Sequence, residues 1–150
     1  MGIDQDILQT RFRNEHQKAA LNILYTYNWI TERTKEVFAS EDVTPQQFNI
    51  LRILRGSYPK PLSTLQIRER MLDKMSDTSR IVDRLISKGL VKKGICKDDR
   101  RLVDVMITDK GRKLLERLDA RQEEMDNILG SISKKEAATL SDLLDKIRSK

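Results

Sequence analysis

The stretch that decides the fold is Lys97-Asp98-Asp99-Arg100-Arg101. It is a cluster of five charges between two runs of β character, Leu90-Val91-Lys92-Lys93-Gly94-Ile95-Cys96 and Leu102-Val103-Asp104-Val105-Met106-Ile107. In the second run Val103, Val105 and Ile107 alternate with Leu102, Asp104 and Met106, the period of a strand with one buried face. Two such runs joined by a short polar segment predict a hairpin with a charged tip.

Just upstream, residues 76–88 read as a helix capped by Ser76. Ile81, Val82, Leu85 and Ile86 form its inner face, Asp77, Arg80, Arg84 and Lys88 point outward, and Gly89 ends it. Before it, Ser63-Thr64-Leu65-Gln66 is a capping box opening a short helix with Leu65, Ile67, Met71 and Leu72 as apolar positions. The break falls around Asp73-Lys74. Two short helices joined by a brief turn and followed by a hairpin predict a winged helix-turn-helix.

Further out, Thr44-Pro45-Gln46-Gln47 is another helix start, with Gly56 as its stop and Ser57-Tyr58-Pro59-Lys60-Pro61 as a stiff linker. Ala20, Ile23, Leu24, Tyr27, Ile30, Thr34, Val37 and Phe38 make one helical stripe of about five turns. Residues 1–12 are polar and are expected to fray or form an arm. Thr108 caps a helix whose stripe, Leu114, Leu115, Leu118, Met125, Ile128 and Leu129, again implies about five turns. After Gly130-Ser131, the capping box Ser133-Lys134-Lys135-Glu136 opens an amphipathic last helix carrying Leu140, Leu143, Leu144 and Ile147.

The expected architecture is mainly α with a small β-hairpin wing. It is one domain, with a winged helix-turn-helix at about 41–108 flanked by N- and C-terminal dimerisation helices at about 14–39 and 109–148. The terminal stripes need a partner surface, and a second copy would bury them. A symmetric dimer also places two helix-turn-helix units about one turn of DNA apart, ~34–36 Å.

The chain has 150 residues, 35% of them charged and 5% aromatic, with a formal net charge of +6. Most of that surplus sits in residues 74–101, which hold nine basic and four acidic residues. A solvated helix face is the ordinary reading of such charge; its concentration in one segment favours double-stranded DNA. Cys96 is the one cysteine, so no disulfide forms within the chain, and a reducing cytoplasm fits. The first residues lack the basic start and apolar run of a signal peptide. No apolar stretch approaches the ~20 residues that span a bilayer, so no membrane partner is expected.

In this reading Ser76, Asp77, Thr78, Ser79, Arg80 and Arg84 face the major groove. The small hydroxyls let the backbone approach, the helix N-terminus attracts phosphate, and Arg80 or Arg84 can bond guanine. Asp77 can cap the helix, accept from a cytosine amino group or orient a neighbouring Arg. Lys97, Asp99, Arg100 and Arg101 form a tip thin enough for the minor groove, with Asp99 able to hold Arg101 by a paired hydrogen bond.

These residues carry a resemblance. Residues 85–91 followed by 98–111 resemble the wing region of the MarR (multiple-antibiotic-resistance regulator) family. Its signature, Asp-x-Arg, a hydrophobic strand and then Thr-x-x-Gly, falls on Asp99, Arg101, Thr108 and Gly111. Residues 80–85 resemble its recognition helix, and the helix order fits from about Ala19 to Ile147. The resemblance implies a homodimeric transcription factor, usually a repressor of a pseudo-palindromic operator released by a small molecule or an oxidant. The turn at Met71-Leu72-Asp73-Lys74-Met75 lacks the Gly often found there, and Arg68 stands where a small Ala is common.

The resemblance also implies an effector site between the dimerisation helices and the DNA-binding lobe, for which Tyr25, Trp29, His16 and Arg52 are candidates. Each is more simply read as a core or interface residue. Cys96, at the base of the wing, is better read as a small strand residue than as a redox sensor. One His and one Cys build no zinc site, so neither metal nor cofactor is expected. An enzyme is the first rival class, but no familiar catalytic constellation is visible. A protein-binding adaptor and a double-stranded RNA binder are the others.

Overall fold

Side-chain caps open the helices of this computed structural model largely where local sequence chemistry places them. The structure describes residues 1–95 and 103–149. The expectations for Cys96, Lys97, Asp99, Arg100 and Arg101 therefore lie outside the described residues.

The chain divides into two compact units, one of residues 37–123 and one of residues 1–36 with 124–150. The elements in order are α1 (Ile3–Asp6), α2 (Glu15–Ala39), α3 (Pro45–Ser57), β1 (Leu62–Ser63), α4 (Thr64–Arg70), α5 (Thr78–Ser87), β2 (Val91–Ile95), β3 (Val103–Ile107), α6 (Asp109–Asp119), α7 (Gln122–Asp126), a 3-10 turn (Asn127–Leu129) and α8 (Lys134–Arg148).

In the central unit, Thr44 and Ser63 complete the expected capping boxes of α3 and α4. Gly56 does not stop α3, which runs one residue further. Leu51, Leu54, Ile67, Leu85, Val105 and Leu115, each at most 1% exposed, form the heart of the core. Leu65 and Leu72, expected among the apolar contacts of α4, are instead 60% and 85% exposed. The inner face of this short helix is supplied by Ile67, with Met71 just beyond its end.

The hairpin pairs antiparallel, with Val91 opposite Ile107 and Ile95 opposite Val103. A strand that periodicity could not reveal joins it: Leu62 pairs with Val105 and Ser63 with Asp104, giving the sheet order β1-β3-β2. This makes β3 the central strand, and its Val105 and Ile107 are buried.

The Thr-x-x-Gly motif has a local physical cause. Thr108 Oγ1 donates to the Gly89 carbonyl at 2.7 Å and accepts from the Gly111 N–H at 3.2 Å. A Cβ on Gly111 would run into the Leu90 carbonyl oxygen and come within 2.7 Å of Ile107 Cγ1. The start of α6 is thus pressed against the end of α5 and the first residue of the wing.

Two forked ion pairs hold the C-terminal end of α6. Arg55 bonds both carboxylate oxygens of Asp119, and Arg117 bonds both of Glu41 at 2.9 Å. The hydrogen bond from Arg117 lowers the Glu41 pKa from its ordinary 4.5, partial burial opposes this, and the Arg117 charge adds to the lowering. A depressed carboxylate stabilises the fold above its unfolded pKa and loses that contribution as pH falls through the folded value. Arg117 is half exposed, so screening keeps the contribution to no more than about 1 kcal/mol. Urea titrations of wild type and Glu41→Gln should differ most at neutral pH and converge in acid. A difference that grows on acidification would contradict the pairing.

In the other unit, Ile3 is buried, so the N-terminal residues are not all frayed. α2 exposes Ile23, Leu24, Tyr25 and Tyr27, and α8 exposes Leu140, Leu143 and Ile147. Ser133 forms the expected capping box of α8. The single five-turn helix expected after Thr108 is instead broken: α6 ends at Asp119, and α7 and the 3-10 turn follow. The apolar spacing runs through the break, so periodicity alone gives no sign of it.

Candidate nucleic-acid interface

α5 is built to hold one face in and one face out. Thr78, Val82 and Leu85 are buried, while Ser79, Arg80, Asp83 and Arg84 are exposed. Its cap is Asp77, not Ser76: Asp77 Oδ1 accepts from the Arg80 N–H at 3.2 Å. The Ser76 hydroxyl turns back and donates to the Asp73 carbonyl at 2.7 Å. Both residue types cap helices, and the backbone path of the preceding turn decides between them.

The far end of α5 closes in a Schellman motif. Gly89, at φ +72°, donates to Ile86, and Leu90 donates to Leu85 at 3.0 Å. That backbone reversal feeds the chain directly into β2. Lys93 of β2 then reaches back to Asp83 at 3.2 Å, linking the outer face of α5 to the wing strand.

Thr64, Leu65, Arg68, Met75, Ser76, Asp77, Thr78 and Ser79 line an open cleft of about 460 Å³ where the start of α4 meets the start of α5. The candidates Ser76, Asp77, Thr78 and Ser79 therefore lie together. Thr78 departs from its expected role: only 4% exposed, with its hydroxyl buried and unpaired among the described residues, it offers no side-chain contact to a ligand on the surface. Arg80 and Arg84 make no side-chain hydrogen bond or ion pair among the described residues, so both guanidinium groups are available to acceptors brought from outside. Such an arrangement suits a phosphate near the first turn of α5 and base edges along its exposed face.

The effector candidates fall in different units. Tyr25 and Trp29, four residues apart on α2, belong to the terminal unit, where the Arg33 guanidinium stacks 3.6 Å from the Trp29 ring centre. Arg52 is an exposed residue of α3 in the central unit, and His16 is exposed near the start of α2. Among the described residues no three His, Cys, Asp or Glu side chains cluster as a metal site would require. No helix among them is long and apolar enough to cross a membrane.

Sequence reasoning missed two contributors to the site. Asn49 of α3 accepts from the backbone N–H of Leu72, in the turn between α4 and α5, at 2.9 Å. Lys88, expected to point outward from α5, is partly buried, with its amine bonded to the Asp42 carbonyl and, at 3.3 Å, to Gln47 Oε1. Neither contact leaves a local signal, because the partners are more than twenty residues apart.

Two helices meeting at a short turn, an outward basic face on the second and a three-stranded sheet behind it define a winged-helix DNA-binding protein. The MarR family model matches residues 43–103. A MarR transcription factor from Planctomyces limnophilus is 34% identical, with 90% of this chain and 98% of that one covered at a TM-score of 0.69. The transcriptional regulator PecS of Dickeya dadantii (strain 3937) is 29% identical over 114 residues, 75% of this chain and 69% of PecS. A point mutant of MarR from E. coli, solved in complex with operator DNA, shares the fold at a TM-score of 0.82 and 23% identity, with 92% and 99% covered. The chain belongs to the MarR family and is a transcriptional regulator, not an enzyme.

Proposed function

We propose that this regulator is a homodimeric repressor that grips a pseudo-palindromic operator and is released by a small-molecule effector. The observation that carries the reading is the exposed face of α5, where Arg80 and Arg84 stand beside Ser79 above a buried Val82 and Leu85. Arg80 or Arg84 reads guanine in the major groove, while Ser76, Asp77, Ser79 and the backbone of Thr78 seat the helix start against phosphate. Lys97, Arg100 and Arg101 enter the minor groove, with Asp99 orienting Arg101. DNA recognition occupies residues of about 41–108, and dimerisation uses helices within about 14–39 and 109–148. The exposed Leu140, Leu143 and Ile147 of α8 support that assignment, since a second copy would cover them. Tyr25, Trp29 and Arg52 contact the effector.

The test is DNA binding over a salt series, first to random duplex and then to fragments selected from genomic DNA. Counterion release predicts a fall in log affinity with log salt of slope about −0.9 for each phosphate neutralised. Absence of binding at low salt would refute the DNA reading. Arg80→Ala or Arg84→Ala should cost ~1–3 kcal/mol on the selected site and relax its preference at one base pair. Arg101→Ala should weaken binding with the fold intact; wild-type affinity in that variant would refute the wing assignment.

A further inference from the structure

We infer that Asn49 is a positioning residue for base recognition: its side-chain carbonyl sets the turn between α4 and α5. This inference rests on the DNA reading above. The turn lacks glycine, and its Leu72 and Met75 side chains are 85% and 89% exposed, so they do not anchor it. Two links tie it to the core. Met71, 3% exposed, inserts its side chain. One residue on, the Leu72 N–H donates 2.9 Å to Asn49 Oδ1. Among the described residues the other hydrogen bonds of the turn stay local. Met75 N–H donates to Asp73 Oδ1, the Ser76 N–H and hydroxyl donate to the Asp73 carbonyl, the Lys74 amine donates to the Glu69 carbonyl, and Arg68 Nε of α4 donates to the Lys74 carbonyl at 3.4 Å. They shape the turn without fixing its direction against the core.

Asn49 is itself 4% exposed and sits beside Ile50 and Leu51 of α3, both fully buried. Its Nδ2 is buried without a partner among the described residues. An unpaired buried amide is unfavourable, so the position gains from Asn only through the oxygen. The amide orientation follows from the bond, because a backbone N–H requires an acceptor. With that acceptor removed, the turn keeps its local bonds but loses its bearing on α3. The start of α5 shifts with it. Base contacts depend on sub-ångström placement, whereas neutralisation of phosphates by basic side chains does not. The loss should therefore appear in specificity before it appears in overall attraction to DNA.

The experiment uses the full chain, a fragment selected from genomic DNA and a random duplex, with amide exchange at Leu72 read by NMR. In Asn49→Ala, exchange at Leu72 should accelerate about tenfold and the ratio of specific to random affinity should fall about tenfold, with the salt slope on random duplex unchanged. Asn49→Asp keeps an acceptor but buries a carboxyl group, which lowers stability; its Leu72 protection and its affinity ratio should nevertheless both stay above those of Asn49→Ala. A folded Asn49→Ala with an unchanged ratio, or equal losses in both variants, overturns the inference while leaving the DNA reading intact. Should Asn49→Ala fail to fold, Asn49→Ser is read by the same criteria. Wild-type protein that binds no duplex at low salt overturns both.

Discussion

Gly111→Ala should lower the unfolding free energy by about 2–3 kcal/mol, the cost of forcing a methyl group into packed surroundings. The clash is with backbone, which has little room to yield. Leu90, whose carbonyl the new Cβ would meet, donates its N–H to Leu85 at 3.0 Å and accepts from the Thr108 N–H at 3.0 Å. Moving it disturbs the end of α5 and the root of the wing together. Affinity for DNA should fall along with stability, because the elements that present Arg80, Arg84 and the wing share this joint. Gly56→Ala is the matched control: a Cβ there meets nothing within 4 Å, and in a helix it should stabilise by roughly 0.5–1 kcal/mol. Urea unfolding of the two variants decides the matter. Equal midpoints would show that the α6 start can slide away from Leu90.

Leu85→Ala should be at least as damaging, at about 2–5 kcal/mol, because Leu85 is fully buried and its truncation leaves a cavity under α5. The expected phenotype is a regulator with a lowered melting temperature and an unchanged set of charged groups. Saturating DNA binds only the folded form and should restore part of the lost stability. A melting temperature within a degree or two of wild type would mean that α5 is not seated through Leu85. A variant that melts low yet shows no shift with DNA would separate the packing claim from the binding claim.

The legible parts of this protein are those whose physics is local. A capping box is closed between residues three apart, so Thr44, Ser63 and Ser133 announce their helices in the sequence. The alternation from Val103 to Ile107 and the Gly89 stop likewise belong to single elements, and together they identify the winged helix. Errors begin where a choice depends on surroundings. Ser76 and Asp77 are both good caps, and the path of the turn selects Asp77. Leu65 and Leu72 look like core by composition, yet α4 is two turns long and its inward face is filled by Ile67. The apolar spacing from Leu118 to Met125 survives a helix break because periodicity carries no record of one irregular turn.

By itself the sequence determined the class of protein and the identity of the basic residues on α5, because caps, stripes and strand alternation arise from neighbours within one or two turns. Only the tertiary structure decided that Leu62–Ser63 becomes a third strand, that Thr78 turns inward, that Lys88 ties back to Asp42, and that Asn49 holds the Leu72 turn. Each of those joins residues brought close by the packing of separate elements. Contacts of that kind depend on how the core closes, and their partners leave no periodic trace along the chain.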